Sequence, residues 1–120
     1  MGFTLVVCNN TNIRKFYVYN LIRRGHFALG VSNLADQVEE FWQQEVPELV
    51  VTWGAPAQLE EDISLLHQHY NSNVPVVVVD HDKPSPAWMA SWGIAASTTH
   101  LWDSRQLVSF LQPWLNRESL

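Results

Sequence analysis

Four apolar runs end in the residues best able to do chemistry: Cys8, Asn9 and Asn10, then Thr52 and Trp53, then Asp80, His81 and Asp82, and last Thr99 and His100. Thr52, His100 and Asp80 could in principle serve as nucleophile, base and orienting acid if their strands are neighbours. No glycine-rich oxyanion loop accompanies them, so the expectation is instead that Asp80 and His100 pair as structural glue. His67 and His69 look like metal ligands on paper, but residues two apart on a helix point to different faces. Asp80, His81 and Asp82 form a similar weak pattern, and no metal or other cofactor is expected. Cys8 reads as a small buried hydrophobe rather than a reactive thiol.

The elements that must position these residues are visible as five β-rich runs: Phe3 to Val7, Phe27 to Val31, Leu49 to Thr52, Val76 to Val79 and Ile94 to Thr99. Helical spacing fills the gaps, with Ile13, Phe16, Tyr17 and Leu21 in the first and Val38, Phe41 and Trp42 in the second. The near-uniform apolarity of "LVV" and "VVVV" implies burial on both faces, as in the centre of a parallel sheet covered by helices. The fold expected is a single α/β domain over residues 1–120, a doubly wound (βα)5 sheet of five parallel strands. Gly25 can end the first helix, Asn33 can cap the second, and Ser85-Pro86 can start the fourth. Pro113 should kink or end the last helix, which spans Ser104 to Leu115. In such sheets ligands bind at the carboxyl ends of the strands, which is where the polar residues gather.

The bulk numbers exclude several functions. The chain has 120 residues, 47% of them hydrophobic, which suits one domain with one core. Twelve acids against seven bases give a net charge of −5, so neither nucleic acid nor an anionic membrane is an expected partner. The longest apolar stretches are too short to span a bilayer, and no signal-like amino terminus is present. With Cys8 the only cysteine, an internal disulfide is excluded, and a reducing, cytoplasmic setting is expected.

Taken in order, these segments resemble the CheY-like receiver domain of bacterial response regulators over nearly the whole chain. "LVVCNNTNIRKFYVYNLIRRGHFAL" looks like that family's first strand, acidic turn, first helix and second strand. "PELVVTWGAP" looks like its third strand and following loop, "NVPVVVVD" its fourth strand, and "WGIAASTTHLWDSRQLVSFLQPWL" its fifth strand and last helix. The resemblance implies a flavodoxin-like strand order of 2-1-3-4-5.

It also implies a site, and the site is altered. The family binds magnesium with two acids after strand one and an aspartate ending strand three, which receives the phosphoryl group. A Ser or Thr ending strand four and a Lys in strand five hold the phosphoryl oxygens. Position by position, the acidic pair falls on Cys8 and Asn9, the phosphoacceptor on Thr52, or on Trp53 if the count runs one residue longer, the hydroxyl on Asp80 and the lysine on His100. The aromatic switch position of strand five falls on Ser97.

A thiol and an amide are poor ligands for a hard cation. A threonine hydroxyl is a much weaker nucleophile than a carboxylate, and Asp80 would repel phosphoryl oxygens. The expectation is a degenerate receiver, or pseudo-receiver. It would have no enzymatic activity and would act in signal transduction by binding a protein partner or itself, independently of phosphorylation. The alternative is a small-molecule or redox-ligand sensor that reuses the crevice.

Six tryptophans are many for so short a chain. Trp88, Trp92, Trp102 and Trp114 lie in the fourth helix and around the fifth, the face by which receivers commonly dimerise or dock partners. They are the expected partner-binding residues. The competing reading is that these rings cap the core with their N–H groups wet.

Overall fold

The uninterrupted apolar runs become the centre of a sheet. The computed structural model describes residues 2–43, 45–53, 56–70, 74–79, 85–98 and 103–115. Its strands are β1 (Thr4–Val7), β2 (Ala28–Val31), β3 (Leu49–Trp53), β4 (Val76–Val79) and β5 (Ala96–Thr98). Its helices are α1 (Thr11–Arg23), α2 (Glu39–Trp42), α3 (Pro56–His69), α4 (Pro86–Trp92) and α5 (Ser104–Leu111). All strand pairs are parallel and the order is β2-β1-β3-β4-β5, as expected. Every residue of β1 and β4 is buried, which explains why those runs show no alternation of polar and apolar residues.

Two apolar layers sandwich the sheet. Leu5, Val7, Val50, Val76 and Val78 face one side, packed with Leu34 and Phe41 and with Leu59, Ile63 and Leu66 of α3. Val6, Leu49, Val51, Val77 and Val79 face the other, packed with Tyr17 and Leu21 of α1 and Leu107 and Leu111 of α5. The period-two alternation of β side chains divides each strand between the two layers.

The helix signals behave as their chemistry requires. Asn10 caps α1 through its side chain, and Gly25 follows the helix with φ +89°, a conformation that costs a side-chain-bearing residue about 1 kcal/mol or more. Ser85 caps α4 by accepting from the Trp88 N–H at 3.1 Å. The α-helical part of α5 stops at Leu111 and Gln112–Trp114 tightens into a 3-10 turn, because Pro113 has no N–H to donate.

The second helix departs from expectation. Asn33 does not cap it: its side-chain oxygen accepts from the Asp36 N–H at 2.9 Å and closes a local turn. The helix is a single turn begun by Val38 without a side-chain cap. One turn is too short to be stable by propensity alone, so packing holds it. Phe41 is buried in the first layer and Trp42 stacks on His69 at 4.1 Å with 13° between the rings. Strand limits also shift: Phe27 precedes β2 and is exposed, while Trp53 extends β3.

Candidate functional site

The segment "CNN" divides three tasks among three residues. Cys8 ends the β1 ladder, its N–H donating to the Val31 carbonyl at 3.0 Å, and is buried. Asn9 is exposed. Asn10 accepts from the Ile13 N–H at 3.0 Å and thereby starts α1. One turn into that helix, Arg14 reaches back: its guanidinium donates to the Cys8 carbonyl at 2.8 Å and, more weakly, to the Thr11 hydroxyl at 3.4 Å. The path is open because residue 30 is glycine. A Cβ there would stand 2.8 Å from Arg14 Cγ and 3.0 Å from Val18 Cγ2.

At the end of β3, Thr52 is 0% exposed, and its hydroxyl has no hydrogen-bond partner among the described residues. Alternation places it on the face of Val50, in the α3 layer. Trp53 turns to the opposite layer, where its ring meets Tyr17 edge-on at 4.5 Å and 86°. The Trp53 indole N–H is buried without a partner among the described residues. Thr52 and Trp53 therefore serve different layers. Asp80 and His100, the other two sequence-predicted pocket residues, lie outside the described residues, as does Trp102.

The electrostatics at the β1 end oppose both a thiolate and a cation. Burial pushes the Cys8 thiol up from its ordinary value, while the Asn10 backbone hydrogen bond and the Arg14 charge pull the other way without overcoming it. Magnesium in a receiver-type site would need oxygen ligands, most of them carboxylates. The donors described here are a protonated thiol, an exposed amide and a buried hydroxyl, with a guanidinium one helical turn away. These residues do not fit the ion. Among the described residues no group of three His, Cys, Asp or Glu could hold any metal.

The tryptophans split between the layers. Trp88 and Trp92 are half-buried against the Leu5–Ile63 layer, and the Trp88 indole donates to Glu60 Oε2 at 2.8 Å. Trp114 is half-buried against the other layer, with its ring 5.9 Å from Phe110. Each of the three is partly buried against its layer.

Sequence reasoning missed three features. One is the Arg14–Cys8 bridge; its only trace was a glycine inside a strand, a sign of close approach by another group. Another is Asp62, buried on α3, where desolvation raises its carboxyl from the ordinary value, the Gln58 amide lowers it and nearby Glu61 raises it. Its helical neighbours Ile63 and Leu66 are also buried, but nothing in the spacing marked Asp62 as inward-facing. The third is the exposed edge at β2.

The fold is shared widely among receiver structures. An orphan response regulator of H. pylori superimposes with a TM-score of 0.76 at 17% identity, covering 96% of this chain and 97% of that one. The chemotaxis protein CheY4 of Vibrio cholerae gives 0.80 at 15% identity, covering 96% and 99%. The response regulator TrrA of Thermotoga maritima, in complex with magnesium and beryllofluoride, gives 0.74 at 16% identity, covering 96% and 100%. At these identities the likeness establishes the CheY-like fold. No family model matches the chain, and no curated protein matches it in sequence.

Proposed function

We propose that this chain is a receiver-type signalling module that has given up magnesium-dependent phosphoryl transfer and works by binding a protein partner or a second copy of itself. The observation that carries the reading is the β1 end. Where receiver domains gather carboxylates, this chain has a buried Cys8 with its thiol held protonated, an exposed Asn9, and the Arg14 guanidinium on the Cys8 carbonyl. A fixed cation on a protein oxygen does part of what a bound ion would do, which is to offset negative potential at the strand tips, and it does so permanently. A module built this way has no ion to gain or lose. Its signal would be set by the presence of its partner.

The fully buried Thr52 supports the same reading. An attacking group must meet phosphorus and be activated by a base; the Thr52 hydroxyl has no exposure and, among the described residues, no partner. The likeness to an orphan response regulator is compatible with this. Trp88 and Trp92 on α4 and Trp114 after α5, all half-buried, are the proposed partner contacts, together with Trp102.

The test is titration with magnesium and beryllofluoride, followed through backbone amide shifts. The expected result is no saturable change at Cys8, Asn9 or Thr52. Saturable shifts at those amides would overturn the proposal.

A further inference from the structure

Of the six described large hydrophobic side chains that stand out in solvent, four gather at one margin of the molecule, the β2 edge. Tyr19 and Ile22 lie on α1, 62% and 55% exposed, and Phe27 and Leu29 lie at β2, 60% and 36% exposed. Val38 and Val46 flank α2, at 63% and 47%. Both described surface grooves open here. One, of about 270 Å³, runs past Phe3, Ile22, Phe27 and Leu29, and the other, of about 420 Å³, past Lys15, Val18, Tyr19 and Gly30. The cause is topological: β2 pairs only with β1, and α2 is too short to cover the outer face of β2.

The two flanks of this edge carry opposite charge. Before Asp36 the chain has four basic residues and no acid; from Asp36 on it has three basic residues and twelve acids. Lys15, Arg23 and Arg24 are exposed on or just after α1. Across the strand, Asp36, Glu39 and Glu40 are exposed on or before α2. Helices α1 and α2 lie on opposite faces of the sheet, since Tyr17 packs in one layer and Phe41 in the other.

From this we infer that the β2 edge is the contact between two copies of this chain, related by a twofold axis parallel to β2. Such an axis keeps the strand direction and exchanges the faces of the sheet, so the basic α1 flank of each copy meets the acidic α2 flank of the other, twice. A twofold axis perpendicular to the sheet would instead oppose α1 to α1 and place basic residues against basic residues. Charge complementarity thus selects one isologous arrangement, with Tyr19, Ile22, Phe27 and Val38 supplying its apolar centre. The inference does not depend on how the strand-end pocket behaves.

Sedimentation tests it with two variants, Lys15→Glu/Arg23→Glu and Glu39→Lys/Glu40→Lys. The wild type is expected to dimerise at low salt and to weaken as salt rises. Each variant alone places like charges together and should weaken self-association by about tenfold or more. An equimolar mixture should recover a heterodimer, because both contacts are then complementary again; that recovery also shows that the variants are folded. Three results would overturn the inference: a wild type monomeric at high concentration and low salt, a dimer indifferent to both variants, or two variants that fail to rescue one another. The first would leave the edge to a foreign acidic partner, detectable as binding of an acidic amphipathic peptide.

Discussion

Arg14 lies across Gly30 so closely that a single methyl group on the glycine would stand 2.8 Å from Arg14 Cγ. Through that contact the edge strand, the first helix and the end of β1 are coupled, because the same side chain donates to the Cys8 carbonyl at 2.8 Å. Replacing Gly30 with Ala forces Arg14 off the strand. The expected result is a loss of about 1 to 3 kcal/mol in denaturant unfolding, the usual cost of overpacking, with amide-shift changes concentrated at Cys8 and Asn9. Arg14→Met keeps most of the stem and removes only the charge-assisted bond. It should cost less than Gly30→Ala and move the same amides.

Cys8 should be inert in the folded chain. Its thiol is buried and held above its ordinary value by desolvation, so little thiolate exists near neutrality. Alkylation at pH 7 is expected only after denaturation. Rapid native-state modification would contradict the assignment of Cys8 as a packed side chain, and would revive the redox-sensor alternative.

Asp62 makes stability depend on pH in a defined direction. Its folded-state carboxyl titrates above the ordinary value, so the folded chain holds that proton more tightly than the unfolded chain does. The penalty is absent at pH below the unfolded value. It grows as pH rises through the interval up to the folded value and is constant above it. Asp62→Asn removes the charge while preserving an acceptor for the Gln58 amide, which now donates at 3.3 Å. The variant should be more stable by about 1 kcal/mol at neutral pH, a usual single-site effect, with the gain vanishing in acid. A gain that persists below pH 3 would point to packing instead.

Trp88 joins α4 to α3 through its bond to Glu60 at 2.8 Å. Trp88→Phe keeps much of the packing and loses that bond, so a cost of about 1 kcal/mol is expected. Trp88→Ala should cost about 3 kcal/mol, because the ring also fills the Leu5–Ile63 layer. If partner binding fails in the Phe variant while its stability holds, the exposed part of the indole belongs to an interface.

The layout of the chain was legible without coordinates because its signals are local. Uninterrupted valine runs must be buried on both sides; Asn10, Gly25, Ser85 and Pro113 act within one turn of themselves. The site was legible only through the family resemblance, which implies that Cys8 and Asn9 stand where receivers carry acids. Its geometry could not be read, because Arg14 meets Cys8 and Gly30 only after β1, α1 and β2 are assembled. Asn33 shows the same limit from the other side, since its side chain can cap a turn as well as a helix and the choice is made by what packs nearby.

By itself, then, the sequence determined the alternation of strands and helices and the parallel sheet, both consequences of residue type and period. Tertiary structure decided which side chains face which layer, that Asp62 is buried, that the second helix is one turn long, and that basic α1 and acidic α2 lie on opposite faces of the sheet beside the edge strand β2. These depend on contacts between residues far apart in the chain, and only the packed sheet brings them together.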